Sequence, residues 1–336
     1  MVWLKFVACV VIILFSGIRL ARYGDIIAEK TGLGRIWIGL ILVAIITSIP
    51  EVVASVSAVT IVNLPDLAVG NVLGSCIFNL TLFALADMIY RPQSIWKQLS
   101  PGHTLSLWFG IILTGVVAGG ILSQGRFPTL SLGWVSLPSI VILALYIVGV
   151  CWIVRSERWH QLETAPVVPS EYRGLSNQKV YLRFSLAAAA IVGAAIWLSL
   201  IGDEISTTYG LRSSFVGTLF VAVTTSLPEL AVTVSAVRFG ALDMAAANIL
   251  GSNLFDIAII SFTDFVYRKE PIFSSISTVH LATILANVAM NLTVMAGLRF
   301  RPKRKTFLIL SWHSMALVVI YILSMIGIYS GFFAHV

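Results

Sequence analysis

The sequence predicts an all-α polytopic membrane protein of about ten transmembrane helices, arranged as two inverted five-helix repeats. Three observations predict it: an apolar composition, a succession of long apolar runs, and an internal repeat. Of 336 residues, 58% are hydrophobic and only 11% charged, against about 25% charged in a soluble domain. That composition, with a mean hydropathy of +0.95, excludes a soluble globular chain and a disordered one. It also argues against a porin-type barrel, whose strands alternate apolar and polar residues. The net charge of +7 reads as basic residues in cytoplasmic loops rather than a nucleic-acid surface.

The apolar runs fall at 2–20, 34–61, 66–90, 104–122, 132–154, 181–201, 212–237, 243–267, 278–298 and 307–332. The first begins like a signal peptide, with Lys5 before an apolar stretch. No small-residue cleavage site precedes Arg19 and Arg22, so it is read as a helix. The interval 155–180, charged and carrying Pro166 and Pro169, is read as a cytoplasmic linker between two halves, 1–154 and 181–336. It is too short for a soluble regulatory domain. If the runs alternate across the membrane, seventeen of the 22 basic residues fall on the side of this linker. The positive-inside rule then places both termini outside the cytoplasm. The basic run Arg299–Lys305 belongs to that signal, with an anionic-lipid site as the lesser reading. Cys9, Cys76 and Cys151 are too dispersed for a disulfide or thiolate-metal reading, and the five histidines are scattered.

The two halves repeat. Thr47-Ser48-Ile49-Pro50-Glu51 matches Thr225-Ser226-Leu227-Pro228-Glu229 at an offset of 178. Gly70-Asn71-Val72-Leu73-Gly74-Ser75-Cys76-Ile77-Phe78-Asn79 matches Ala247-Asn248-Ile249-Leu250-Gly251-Ser252-Asn253-Leu254-Phe255-Asp256 at 177, so one residue is lost in the turn between the blocks. The repeated segments are about 40–90 and 218–267. Five runs per half place the second copy upside down, the plan of secondary transporters with a midplane site at the repeat interface.

An ionised acid in a membrane helix costs about 2.5–3.5 kcal/mol by insertion scales, so each needs an account. Asp66 and Asp243 open their runs and are expected to cap helix N-termini. Asp87 and Asp264 are followed four residues on by Arg91 and Arg268, which predicts i,i+4 ion pairs. Glu51, Glu229 and Asp256 fall in mid-run with no basic residue within a helical turn, and are read as cation ligands. Pro50 and Pro228 lack the amide hydrogen that would reach the carbonyls of Ile46 and Thr224. That loosens the turn, including Ala44 and Ala222. Thr47, Ser48, Thr225 and Ser226 add hydroxyls. Asn71, Ser75 and Asn79 share one helix face, as do Asn248, Ser252 and Asp256, and Gly74 and Gly251 allow close helix approach. This carboxylate, amide, hydroxyl and carbonyl set suits Ca²⁺ or Na⁺, while transition metals prefer His or Cys.

These paired blocks resemble the calcium/cation antiporter superfamily, in which two α-repeats carry G-T-S-x-P-E and G-S-N-x-F-N/D motifs. The resemblance covers essentially the whole chain. It implies electrogenic Na⁺/Ca²⁺ exchange by alternating access in a prokaryotic-type transporter, with no resident cofactor and no obligate protein partner. It further implies that Glu51 and Glu229 are central Ca²⁺ ligands joined by Thr47 and Thr225, and that Asn79 and Asp256 complete a central site. Ser48, Ser75, Ser226, Ser252 and the Ala44 and Ala222 carbonyls would line flanking Na⁺ sites. The glycine before Thr-Ser is replaced by Ile46 and Thr224, and one motif asparagine by Cys76, read as a packing residue.

The expected mechanism is mutual exclusion: Na⁺ and Ca²⁺ compete for Glu51 and Glu229, and only a loaded site lets runs one and six slide past the bundle. The nearest rival is an H⁺/Ca²⁺ antiporter using the same carboxylates. His103 and His280, also 177 apart, are read as interfacial. An intramembrane enzyme is disfavoured, because no histidine base is sequence-local to Ser75 or Ser252. A channel would share the ligands but lack enforced exchange.

Overall fold

The computed structural model describes residues 2–31, 35–61, 63–91, 93–123, 131–162, 176–209, 222–302, 305 and 309–333. The chain is mostly helical. In order, its elements are α1 Val2–Thr31, α2 Arg35–Trp37, a π-helical segment Ile38–Val43, α3 Ala44–Thr47, α4 Ile49–Thr60, α5 Pro65–Ile89 and α6 His103–Leu122. A two-strand hairpin follows, β1 Ser131–Leu132 and β2 Val135–Ser136. Then come α7 Leu137–Leu162, α8 Asn177–Tyr209, α9 Ala222–Thr225, α10 Leu227–Arg238, α11 Leu242–Val266, α12 Ile272–Ser275, α13 His280–Phe300 and α14 Trp312–Phe333.

Among the described residues, α1, α5, α6, α11, α13 and the Leu137–Ser156 part of α7 are long and apolar enough to cross a membrane. The pair Ile38–Thr47 and Ile49–Thr60, bent by 44°, makes a seventh if counted as one broken span. The expected run 181–201 lies inside α8, the run 212–237 begins outside the described residues, and 307–332 is covered in part by α14. Helices extend further than hydropathy placed them. α1 runs to Thr31 rather than 20, and α7 and α8 continue into the predicted 155–180 linker, of which 163–175 lie outside the described residues.

α5 and α11 form the centre and pack on each other. Each also packs on outer helices of the other half: α5 on α13 and α14, α11 on α6 and α7. α1 and α8 pack side by side, joined at one end by Lys5 Nζ to Glu204 Oε2 at 2.9 Å and at the other by Lys30 Nζ to Asn177 Oδ1 at 2.9 Å. They therefore run antiparallel. Gly17 lets α1 touch α10, since a Cβ there would fall 2.6 Å from Ala231 Cβ.

The loops after α5 and α11 interlock the halves through matched contacts. Trp96 packs on Gly297 and Phe273 on Gly120; a Cβ on either glycine would lie 2.5 Å from the ring. Asp66 Oδ1 accepts the Ser277 amide (2.6 Å) and His280 Nε2 (3.1 Å). Asp243 Oδ1 accepts the Ser100 amide (2.7 Å) and pairs with His103 Nε2 (2.8 Å). This corrects the capping expectation for Asp66 and Asp243: Leu64 and Ala241 take the N-cap positions without a side-chain cap, and both carboxylates reach across to the opposite half. His103 and His280, read as interfacial, are the partners of those carboxylates.

The ion-pair expectation for Asp87 and Asp264 is corrected too. α5 ends at Ile89 and α11 at Val266, so Arg91 and Arg268 lie beyond the helical face. Both acids are fully buried. Asp87 accepts the amides of Ile95 (2.9 Å) and Ser311 (2.8 Å) and the Ser314 hydroxyl (2.8 Å). Asp264 accepts the amides of Ile272 (2.8 Å) and Ser136 (2.7 Å). Arg268 instead lies 5.8 Å over the Trp134 ring. A carboxylate taking several N–H donors orders a loop more firmly than an exposed ion pair.

The residue lost between the repeated blocks lies in the turn before the central helices. Leu64 N bonds Ala58 O at 2.9 Å across six residues, while Ala241 N bonds Ala236 O at 2.9 Å across five. Both turns use a left-handed residue, Asn63 (φ 59°) and Gly240 (φ 75°), the types that adopt it most readily.

The close approach expected of the two glycines is strong at one and ordinary at the other. Among the described residues, a Cβ on Gly251 would run into the Leu40 carbonyl and lie 2.8 Å from Ala44 Cβ, whereas one on Gly74 would lie 3.4 Å from the matching Ala222 Cβ; position 218, the match of Leu40, lies outside the described residues. Gly251→Ala therefore forces backbone apart and is expected to cost about 1–3 kcal/mol, read as an earlier thermal melt in detergent. Gly74→Ala, which meets only ordinary contact among the described residues, should cost less than Gly251→Ala. Equal losses in the two variants would contradict this packing.

Candidate cation-binding site

The site is assembled where two broken helices meet the two central ones. Ser48 (φ −89°, ψ 7°) separates α3 from α4, and Ser226 (φ −87°, ψ 8°) separates α9 from α10. In each, proline occupies the first turn of the second segment, where its missing N–H is tolerated. The glutamates thus begin new helices: Glu51 lies in the first turn of α4 and Glu229 in the first turn of α10. The π-helical Ile38–Val43 preceding the first break has no signature in the hydropathy pattern.

All twelve residues expected at the site are described, and all are buried. The contacts cross between halves. Ser226 Oγ donates to Glu51 Oε1 (3.1 Å), and Ser48 Oγ donates to Glu229 Oε1 (3.0 Å). Ser252 Oγ also donates to Glu229 Oε1, at 3.3 Å. Asn79 Nδ2 donates to Asp256 Oδ2 at 3.3 Å. Thr47 Oγ1 lies 3.4 Å from Ser252 Oγ and 3.5 Å from Asn248 Oδ1.

Among the described residues, fifteen buried side-chain atoms lack a hydrogen-bond partner, and five of them belong to the expected site: Glu51 Oε2, Glu229 Oε2, Asp256 Oδ1, Asn79 Oδ1 and Ser75 Oγ. An unpaired buried polar atom costs about 1–3 kcal/mol and more for a charged group, so their accumulation needs a chemical reason. Among the described residues, no three Asp, Glu, His or Cys side chains converge as a metal cage. A cation here would take mixed oxygen ligands, with the carboxylates supplying charge and the amide, hydroxyl and carbonyl groups filling the shell.

The carbonyls of Ala44 and Ala222 differ from the loosened state expected for them. Ala44 O accepts the Ser48 amide (3.0 Å) and Thr47 Oγ1 (3.1 Å). Ala222 O accepts the Ser226 amide (3.1 Å) and Thr225 Oγ1 (3.2 Å). Both threonine hydroxyls thus bond their own helices, and Thr47 Oγ1 also meets Ser252 and Asn248 of the other half.

Asn71 and Asn248 share a face with the site but serve the scaffold. Asn71 Nδ2 donates to Ser55 Oγ (3.2 Å) and Asn248 Nδ2 to Thr233 Oγ1 (3.5 Å), tying each central helix to its broken neighbour. Ser55 and Thr233 went unremarked in the sequence, although each follows its glutamate by four residues and so shares its face. Cys76 and Asn253 mark the crossing of α5 and α11. Asn253 Nδ2 donates to Cys76 O (3.1 Å), and Cys76 Sγ lies 3.8 Å from Asn253 O.

With this geometry in place, comparison with known proteins is informative. The family model for sodium/calcium exchanger protein matches residues 1–156 and 179–330. The inner membrane protein YrbG of Escherichia coli (strain K12) is 28% identical over 254 residues, covering 74% of each chain. The sodium/calcium exchanger MaX1 of Methanosarcina acetivorans is 26% identical over 262 residues, covering 70% of this chain and 74% of its own. Structures of the sodium-calcium exchanger NCX_Mj share the fold: one soaked with Na⁺ and Sr²⁺ superposes with a TM-score of 0.73 at 21% identity, covering 97% of this chain and 99% of the other.

The hydrogen bonds separate the site serines into two kinds. Ser226→Ala and Ser48→Ala each strip a hydroxyl donor from a buried carboxylate, and each is expected to cost about 1.5–3 kcal/mol in cation-free buffer. Ser75→Ala removes a hydroxyl without a partner and should leave the thermal midpoint near wild type. A Ser75→Ala loss as large as that of Ser226→Ala would show that its hydroxyl has a partner.

Proposed function

The chain belongs to the sodium/calcium exchanger protein family, and from that premise we propose that it is an antiporter exchanging Na⁺ for Ca²⁺ across the membrane by alternating access. The observation that carries the reading is the set of unpartnered buried oxygens on Glu51, Glu229, Asp256, Asn79 and Ser75. The composition of the set, all oxygen and mostly carboxylate or amide, favours a hard cation.

In this reading Glu51 and Glu229 are the central Ca²⁺ ligands, Thr47 and Thr225 add oxygens beside them, and Asn79 and Asp256 complete the site. Ser48, Ser75, Ser226 and Ser252, with the carbonyls of Ala44 and Ala222, flank it for Na⁺. The threonine hydroxyls bonded to the two alanine carbonyls would give way when a cation takes those carbonyls. The fold is two inverted five-helix repeats of ten spans, 1–154 and 181–336. The reciprocal contacts Asp66–His280 with Asp243–His103, and Trp96–Gly297 with Phe273–Gly120, support it, because a two-fold relation generates such pairs.

The mechanism follows from charge. With the site empty, carboxylate oxygens stand unpaired in a low-dielectric core, and carrying them past apolar surface is costly. A bound Ca²⁺, or a complement of Na⁺, neutralises them. Both ions need Glu51 and Glu229, so one excludes the other and transport becomes exchange. The moving element would be the α1–α8 pair, whose ends are joined by Lys5–Glu204 and Lys30–Asn177. With inward Na⁺ flow, the protein extrudes Ca²⁺.

Two outcomes test this. Proteoliposomes preloaded with Na⁺ should take up ⁴⁵Ca²⁺ down the outward Na⁺ gradient, while matched vesicles loaded with K⁺ or choline should not, and Glu229→Gln should abolish the uptake. Uptake that ignores Na⁺ and follows an imposed proton gradient would replace Na⁺ by H⁺ as the coupling ion. The proposed orientation, both termini outside, predicts an active alkaline-phosphatase fusion and a dark green-fluorescent-protein fusion at the C-terminus in a bacterial host. The reverse pattern would invert the topology.

A further inference from the structure

The loop between α5 and α6 and the C-terminal end of α13 bring together cations that transport does not use. Among the described residues, Arg91, Lys97, Arg299, Arg301 and Lys305 form no ion pair with a carboxylate. Arg301 adopts a left-handed conformation (φ 46°) just past α13. Its Nε donates to Leu298 O (3.2 Å) and its Nη2 to Leu99 O (3.4 Å), fixing the guanidinium between helix end and loop. Lys305 Nζ donates to the carbonyls of Asp87 and Tyr90 at the end of α5. Burial draws the Lys305 ammonium below the usual lysine range, and the Arg91 charge adds to this against the opposing pull of Asp87. The bond from Lys305 Nζ to Tyr90 O (2.7 Å) brings the ammonium to the residue next to Arg91 in the chain. The Asp87 carboxylate does not pair with either, being committed to Ile95, Ser311 and Ser314.

The surroundings are those of a membrane boundary. Phe300, between Arg299 and Arg301, is 75% exposed, and Trp312 at the start of α14 is 61% exposed, aromatic and apolar surface of the kind that sits at headgroup level. The opposite half supplies an internal control, because its matching loop does the same packing work. Phe273 replaces Trp96 on the facing glycine, and Asp264 holds Ile272 as Asp87 holds Ile95. Yet at the same offset of 177, Lys97, Arg299 and Arg301 correspond to Ser274, Leu122 and Gln124. At the two matching positions that are described, Ser274 and Leu122, the fold packs without a cation, while Arg91 is matched by Arg268.

We propose that this end of the molecule seats the phosphate of an anionic phospholipid, with Arg91, Arg301 and Lys305 forming the seat and Lys97 and Arg299 its exposed rim. Basic clusters at helix ends bind anionic headgroups through this combination of charge and fixed donors. A signal for membrane orientation needs only the charge, not a guanidinium locked to two carbonyls.

The test is native mass spectrometry of the full chain, delipidated in detergent and titrated with phosphatidylglycerol, cardiolipin or phosphatidylcholine of matched acyl chains. Phosphatidylglycerol and cardiolipin are expected to be retained in preference to phosphatidylcholine. Lys97→Gln and Arg299→Gln, both exposed and outside the transport site, should each weaken retention about fivefold. Arg268→Gln on the matching loop should leave it unchanged. A thermal-shift titration supplies a second readout, in which phosphatidylglycerol raises the melting midpoint of wild type and inorganic phosphate does not. Equal retention of phosphatidylcholine, indifference to Lys97→Gln and Arg299→Gln, or an equal shift with inorganic phosphate would overturn the proposal.

Discussion

Glu51, Glu229 and Asp256 each keep one carboxylate oxygen without a partner in the driest part of the molecule. Burying ionised carboxylates is among the costliest things a helical membrane protein can do, and the cost falls only if something neutralises them. The rest of the architecture reads as the means of holding them apart from other donors. Ser48 and Ser226 each serve only one oxygen of the opposite glutamate. The breaks at those serines place both glutamates in the first turn of new helices, where the positive end of the helix dipole offsets part of the charge.

The scaffold is organised by exchange between halves. α5 and α11 cross at Cys76 and Asn253, each packs on the outer helices of the other half, and each following loop inserts an aromatic ring against a glycine opposite. α1 and α8 pack on each other outside this crossing. Where the matched neighbours are both described, a Cβ on Gly251 would lie 2.8 Å from Ala44 Cβ and one on Gly74 3.4 Å from Ala222 Cβ, so this pair of contacts differs between the halves. Two copies of one motif held in different packings are what alternating access requires.

Much of this was legible in the sequence because repetition exposes function: the same Thr-Ser-x-Pro-Glu block at two places in an apolar chain needs no structure to stand out. The one-residue shift from 178 to 177 located the shortened turn before α11. Long-range partners were less legible. Asp87 and Asp264 look like half of an i,i+4 pair, but the helices stop two residues short of the arginines and the loops fold back to occupy the carboxylates. Asp66 and Asp243 sit where caps belong, yet their acceptors are filled by residues more than 100 positions away. Local spacing cannot distinguish a cap from a cross-half bond, since both place an acid in the first turn. The bonding of the Ala44 and Ala222 carbonyls likewise depends on the threonine rotamers.

The central claim is that one cation site is shared by the two halves and that Ca²⁺ and Na⁺ compete for it. The direct measurement is equilibrium binding of ⁴⁵Ca²⁺ to the purified full chain, titrated with Na⁺ at constant ionic strength, in wild type, Glu51→Gln and Glu229→Gln. The account predicts saturable binding that Na⁺ displaces competitively and that either substitution, made in either half, removes. Undiminished Ca²⁺ binding in one of the two variants, or binding indifferent to Na⁺, would contradict it.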